Sequence, residues 1–438
     1  MDKHNMENLS TDNYKGVRDF YPADQAIQNY IFGVMRKVAE RFGYVEYNAS
    51  VLEPSEIYRA KTGEEIVNEQ TYTFKDRGER EVTLRPEMTP TVARMVAAKR
   101  RELVFPLRWY SIPNLFRYEK PQRGRLREHW QLNADIFGVD SIYAEVEIIS
   151  MASEIMRKFG VKDSQFEIRI NSRKITNYIL KTLMGLSDVD SAKIAKIIDK
   201  KGKVDGETFE LLLSDALKEK DNFLLTLINS KNFEEFVSRL PKNPELQNGI
   251  KEINTLTESL EKLGITNVVF DQTLMRGFDY YTGIVFEVFD LNPLNRRSLF
   301  GGGRYDNLLE IFGEEKVPAV GLGMGDVTIR DVLETYNLLQ APIPQVRLVI
   351  CTVGADHIDY AQELAQKLRN NNVSVVIDYS GKKVGDQIKR ADKQGIPFVV
   401  CVGEEEVNSG KLKVKNLSTG EEKIVSEDEL VAKISLNN

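Results

Sequence analysis

The chain has 438 residues, 42% of them hydrophobic and 29% charged, with a formal net charge of −6 and a pI near 5.5. This length accommodates two to four domains with separate cores, and the acidic balance excludes a surface coated uniformly in basic charge while permitting local basic loops. Cys351 and Cys401 sit in apolar runs and His4, His129 and His357 are scattered, which argues against a disulfide framework or zinc-ligand spacing.

Residues 25–42 (QAIQNYIFGVMRKVAERF) place apolar side chains at helical spacing, and Gly43 closes the segment. Strand-like runs follow: YVEYNASVL, then TYTFKD and REVTLR around a turn at Gly78. FPLRWYSIPNLFRYEK and HWQLNADIFGV read as two further strands flanking a charged loop. A helix is predicted over 144–159 and a strand at QFEIRIN. From about 186 to 263 the strand pattern vanishes, and SAKIAKIIDKKGK and ETFELLLSDALKEKDNFLLTLI read as a charged helical insertion. Strands resume at VVFDQTLMRGFDYYTGIVFEVF and run to SLFGGGRYDNLLEIFG. APIPQ, 341–345, is punctuated as a linker. Beyond it VRLVICTV, VSVVIDY and PFVVCVG alternate with helices over 357–369 and 384–394, the pattern of a small α/β domain with a largely parallel sheet. The expected organisation is an antiparallel α+β body in two parts, 1–185 and 264–340, interrupted by a helical insertion at 186–263 and followed by an α/β domain at 345–438. No apolar run approaches a membrane span and residues 1–15 lack an apolar signal core, so a cytoplasmic location is expected.

The charged loop FRYEKPQRGRLREHWQ, 116–131, carries Arg117, Lys120, Arg123, Arg125 and Arg127, with Gly124 at its tip. A solvated hairpin is the ordinary fate of such a charge run; a phosphate clamp is the functional alternative, because guanidinium forks bind phosphoryl oxygens bidentately. Arg117, on the strand itself, favours the clamp. In LRPEMT, Glu87 and Thr89 are two apart and share a face if extended, where an acid and a hydroxyl together suit an ammonium group. Gln131 and Asp135 share a face in the same way, and for either pair surface hydrogen bonding is the bland alternative. Neither GGGRYD, 301–306, nor GLGMG, 321–325, has the spacing of a phosphate loop or a dinucleotide fingerprint; these glycines read as close backbone packing or approach to a ligand.

The ordered set of motifs resembles the histidyl-tRNA synthetases, a class II aminoacyl-tRNA synthetase family, over nearly the whole chain. GVRDFYP, TLRPEMT, the FRYEKPQRGRLREHWQ loop (class II motif 2), RGFDYYTGIVFE (the histidine-specific motif), GGGRYD and VPAVGLGMG (the motif 3 region) occur in the family order. GKKVGDQIKRADKQGIPFVVCVGEEE is similar to the family's anticodon-binding domain. The resemblance implies a homodimeric ligase that joins L-histidine to tRNA(His) using ATP, with magnesium bridging the phosphates. It implies that Tyr281 and Asp135, with Tyr280 beside them, bind the imidazole end of histidine and that Glu87, Thr89 and Gln131 hold its ammonium. Arg117 would contact the α-phosphate, Arg125 and Glu119 the nucleotide, His129 the adenine, and Arg276 the charge developing during carboxylate attack. Gln122, Arg127, Lys389 and Arg390 would face tRNA, the last two from a basic helix face that is otherwise plain solvated surface.

Three positions depart from the family pattern. Ser50 stands where motif 1 usually has a proline at the dimer interface, and His129 replaces a phenylalanine that stacks on adenine. After GLGMG the family usually ends a short segment in Glu-Arg, the arginine packing over adenine; here Val327 and Thr328 occupy those positions. Arg330, two residues on, would point elsewhere on a helix. That departure keeps alive a non-aminoacylating histidine sensor similar to the regulatory subunit of ATP phosphoribosyltransferase, and, separately, a tRNA-binding module without activity.

Overall fold

A computed structural model describes residues 9–60, 70–202, 204–217, 222–275, 280–295, 297–339 and 345–435. It divides into two units, Met1–Gln340 and Ala341–Asn438. The first unit carries twelve described strands: β1 (Val45–Glu46), β2 (Leu52–Pro54), β3 (Tyr72–Lys75), β4 (Glu81–Leu84), β5 (Leu107–Ser111), β6 (Asn114–Phe116), β7 (Glu128–Phe137), β8 (Phe166–Ser172), β9 (Val268–Phe270), β10 (Ile284–Asp290), β11 (Ser298–Arg304) and β12 (Ala319–Gly325). Nine of them form one sheet in the order β1-β5-β7-β12-β11-β10-β8-β9, with β6 on β7, and β2-β4-β3 form a small antiparallel sheet. The large sheet is antiparallel through its middle but parallel at both edges, β1 on β5 and β9 on β8. The fold is α+β, as the alternation of strand and helix signals implied, with a mixed rather than purely antiparallel sheet.

Period-two alternation sorts the sheet's two faces. Leu132, Ala134 and Ile136 of β7 and Phe286 and Val288 of β10 are buried in one apolar cluster with Ile31 and Met35 of helix Pro22–Arg41 and Ile148 and Ile155 of helix Tyr143–Lys158. The alternate residues turn to the opposite face, where Val285 joins Val92 and Val96 of helix Thr89–Ala98. Between 186 and 263 the chain forms helices Asp188–Ile198, Gly206–Leu217, Asn222–Ile228, Phe233–Ser238 and Pro244–Lys262. Ser187, Asn232 and Asn243 cap three of them by accepting a backbone N–H. These helices are not a detached arm: Ile194, Leu213, Phe236 and Ile253 belong to the same cluster as Ile168 of the sheet. A Cβ on Gly249 would stand 2.8 Å from Cγ1 of Ile175, so the last helix seats closely there.

At Ser50, where a proline was expected, the backbone is held from outside. The buried guanidinium of Arg85 donates to the carbonyls of Ala49 at 2.7 Å and Ser50 at 3.3 Å.

The second unit has β13 (Leu348–Thr352), β14 (Val375–Asp378), β15 (Phe398–Val402), β16 (Lys411–Asn416) and β17 (Glu422–Ser426) in the order β14-β13-β15-β16-β17. The first three are parallel, and β16 and β17 continue antiparallel. The parallel expectation therefore fits half the sheet; the charged run around Lys411–Ser426 does not carry the buried-strand signal and was not legible as a hairpin. Helices Ile358–Asn370 and Val384–Lys393 cross between the parallel strands. Cys351 and Cys401 are free thiols facing each other in register across β13 and β15.

Candidate active site

On the face of the sheet away from the long helices lies a cavity of about 370 Å³ including its mouth. Its wall is β7, from which Gln131, Asn133 and Asp135 project at alternate positions. Glu87 and Thr89 line it too, but not as an extended pair. Glu87 lies between bends at Pro86 and Met88, and Thr89 opens helix Thr89–Ala98, so the helix start rather than strand alternation brings them together. Arg117 enters from the end of β6, its Nε donating to the carbonyl of Pro86 at 2.8 Å. Tyr280 and Tyr281 close the far side, rings 4.9 Å apart, and the hydroxyl of Tyr280 donates to Oε2 of Glu87 at 2.9 Å.

The cavity exists because its floor has no side chains. A Cβ on Gly321 of β12 would run into Oδ1 of Asp135, and one on Gly323 into the amide of Gln131. A Cβ on Gly303 of β11 would meet the ring of Tyr281 at 2.9 Å. The glycines in GGGRYD and GLGMG thus make room for the side chains of Asp135, Gln131 and Tyr281.

Asp135 is the polar centre of the cavity. Its Oδ1 accepts a hydrogen bond from the hydroxyl of Tyr305, while Oδ2 is buried with no partner among the described residues. Burial pushes its carboxyl up to about 7, and the Tyr305 hydroxyl only partly opposes this. A buried carboxylate oxygen without a donor costs stability unless a ligand supplies one. Tyr305 and Asn133 are site residues that sequence reading missed. Asn133 continues the Gln131–Asp135 alternation and was available from that pattern; Tyr305 depends on the β7-β12-β11 register and had no local signal.

Behind β11 a buried ion pair fixes this register. Arg304 donates from Nε and Nη2 to the two oxygens of Glu145, both at 2.6 Å, and from Nη1 to Asp306 at 3.3 Å. Asp306 in turn accepts from Thr282 Oγ1 at 3.0 Å, tying GGGRYD to the end of RGFDYYTG.

The remaining assigned residues lie around rather than in the cavity. His129 is on the same face of β7 as Gln131 and is half-buried; loss of solvent, with the charges of Arg117 and Arg18 nearby, pushes its imidazole down to about 3, so the ring is neutral. Arg125 pairs with Glu119 at 2.9 Å. The loop turns at Gly124 (φ +75°), and Gln122 and Arg125 bond each other's backbone. Gln122 accepts from Arg297 at 3.0 Å, and Arg127 lies 4.0 Å over the ring of Tyr118 while donating to the hydroxyl of Tyr14. The loop is therefore braced rather than a free solvated hairpin. In the second unit Lys389 is exposed, and Arg390 pairs with Asp378 at 3.2 Å beside a separate cavity. Arg276 lies outside the described residues.

The chain is similar to known proteins over nearly its whole length. Residues 16–326 match the family model for histidyl-tRNA synthetase and residues 345–437 that for an anticodon-binding domain. The chain is 41% identical to a histidine–tRNA ligase of Leptospira biflexa, covering 98% of both chains. It is 37% identical to one of Thermoplasma volcanium, covering 97% of this chain and 98% of the relative. A solved histidyl-tRNA synthetase from a Nostoc species superposes with a TM-score of 0.82 at 23% identity, over 98% of this chain and all of that one, and so shows a shared fold. A cavity lined by the residues that the motifs single out, on a sheet of this topology and within full-length similarity of this extent, leads to one conclusion: the chain belongs to the histidyl-tRNA synthetase family.

Proposed function

We propose that the chain joins L-histidine to tRNA(His) at the expense of ATP, by way of histidyl-adenylate. The observation that carries this reading is the convergence of Glu87, Thr89, Arg117, Gln131, Asp135, Tyr280 and Tyr281 on one cavity from four separate stretches of sequence. Oδ2 of Asp135 accepts one imidazole N–H, and the Tyr281 hydroxyl meets the other ring nitrogen. Glu87, Thr89 and Gln131 take the ammonium, and Tyr280 holds the Glu87 carboxylate in place. The histidine carboxylate then attacks the α-phosphorus of ATP and pyrophosphate leaves; Arg117 and Arg276 stabilise the charge on the phosphoryl oxygens, and the Arg125–Glu119 pair faces the nucleotide. A terminal ribose hydroxyl of the tRNA next takes the histidyl group from the adenylate, releasing AMP. The protein's contribution is positioning and charge stabilisation.

Magnesium would accompany ATP. Among the described residues no group of three or more ligating side chains gathers, which suits an ion that keeps its waters and is held chiefly by substrate phosphates. In the first unit Gln122 and Arg127 would meet tRNA, and in the second Lys389 and Arg390 would meet its anticodon. Assembly into a homodimer is part of the same proposal. No described helix is long and apolar enough to cross a membrane; a cytoplasmic location is part of the proposal.

The test is histidine-dependent ATP–pyrophosphate exchange on the purified chain without tRNA. Exchange with histidine alone among the amino acids is the expected result. Histidine binding without exchange would instead indicate a sensor, and neither binding nor exchange would indicate a tRNA-binding module.

A further inference from the structure

The chain lacks the motif 3 arginine of its family, and the structure shows that the neighbouring candidates are committed elsewhere. Thr328, at the arginine position, donates its hydroxyl to the carbonyl of Leu299 at 2.7 Å. Arg330 pairs with Asp24 at 2.9 Å and Glu334 at 3.0 Å. Arg123 forks onto Oδ1 of Asn295 and reaches the hydroxyl of Thr335 at 3.1 Å. Arg127 is stacked on Tyr118.

Arg18 is held too, its guanidinium 4.9 Å over the ring of Phe20, but its ion pair is with the start of the motif 3 helix. Arg18 comes from the GVRD segment ahead of helix Pro22–Arg41, and its Nη2 donates to Oδ2 of Asp326 at 2.7 Å. Asp326, 1% exposed, is the first residue of the helix that should carry the family arginine. The same carboxylate accepts from Gln28 at 2.7 Å and from the backbone N–H of Trp130 at 2.9 Å. Asp326 therefore fastens Arg18 to β7 one residue from His129, and the charge of Arg18 acts on that imidazole. It also acts on Asp331, beside which the loop tip at Gly124 passes. Nε of Arg18 is buried with no partner among the described residues, a donor left for a ligand or water to satisfy.

We propose that Arg18, oriented by Asp326, holds ATP beside His129 in place of the absent motif 3 arginine. The inference rests on the reading of the cavity as an adenylation site. A planar guanidinium can cover one face of adenine while the neutral His129 ring takes the other, which a lysine ammonium cannot reproduce. Asp326 is then a positioning residue: it fixes the fork without touching the nucleotide.

The test measures KM for ATP and KM for histidine separately in pyrophosphate exchange. Arg18→Ala is expected to raise KM for ATP at least tenfold and leave KM for histidine within about twofold. Adding Thr328→Arg to it is expected to recover most of the loss. Arg18→Lys, which keeps the charge beside Asp326, covers the case in which the alanine variant does not fold; an unchanged melting temperature with a raised KM for ATP is expected. An unchanged KM for ATP in a folded Arg18 variant, or no recovery in a folded double variant, would overturn the inference. Absence of exchange in the unsubstituted chain would instead remove the functional reading beneath it.

Discussion

Tyr305 donates its phenolic hydrogen to Oδ1 of Asp135, 170 residues away in sequence, and leaves the buried Oδ2 without a partner among the described residues. This bond aims the carboxylate and is the chief force holding its charged form against burial. Tyr305→Phe should raise KM for histidine by about 10- to 100-fold, the worth of one hydrogen bond to a charged group. It should also move the pH dependence of that KM upward, because the variant carboxyl is protonated more readily. A KM within a factor of two of the original would show that Tyr305 does not orient Asp135.

The raised carboxyl of Asp135, at about 7, predicts opposite effects of pH on binding and on stability. The carboxylate accepts the imidazole N–H more strongly than the protonated acid does, so KM for histidine should rise as pH falls from 8 to 6. For stability, the folded value lies above the ordinary Asp value of about 4. The folded state therefore favours the protonated form: this group's favourable contribution is complete below pH about 4 and is lost as pH climbs towards 7. Asp135→Asn should remove that loss, raising the melting temperature at pH 8 without histidine, by at most about 4 kcal/mol of stability. It should also abolish the stabilisation that added histidine provides. Thermal melts with and without histidine at pH 8 check both signs.

The empty floor makes two glycines indispensable. Gly321→Ala and Gly323→Ala put a methyl group against Asp135 and Gln131 respectively. Both sit in a strand that alanine tolerates, so the fold should persist while KM for histidine rises more than about tenfold, as a misplaced binding group costs. KM for ATP should change less. Circular dichroism and exchange kinetics on the two variants separate a lost site from a lost fold.

The Arg304–Glu145 pair predicts stability rather than chemistry. Glu145→Ala leaves a buried guanidinium without its bidentate partner and should cost about 3–5 kcal/mol in urea unfolding. Replacing both residues by methionine should cost less, because the guanidinium leaves with its bidentate partner and Asp306 keeps the Thr282 hydroxyl and Lys316 at 3.9 Å. An equal cost for the single and double variants would show that packing, not charge, matters there.

Much of the molecule was legible before folding was considered. Helical spacing over 25–42 anticipated helix Pro22–Arg41, and the two-residue period of QLNAD anticipated that Gln131 and Asp135 share a face, because both follow from backbone geometry between near neighbours. The order of motifs identified the family. Other features were decided only by tertiary structure. Glu87 and Thr89 meet at a helix start, not along a strand, because the bend after Arg85 depends on that side chain gripping Ala49 and Asn114. Tyr305 reaches Asp135, Gly321 clears space for it, and Asp326 carries Arg18 to the side of His129. Each of these contacts joins residues more than a hundred positions apart in the chain. Local sterics set which way a side chain leaves its own strand, but strand order and register, fixed by the whole buried core, set what it meets.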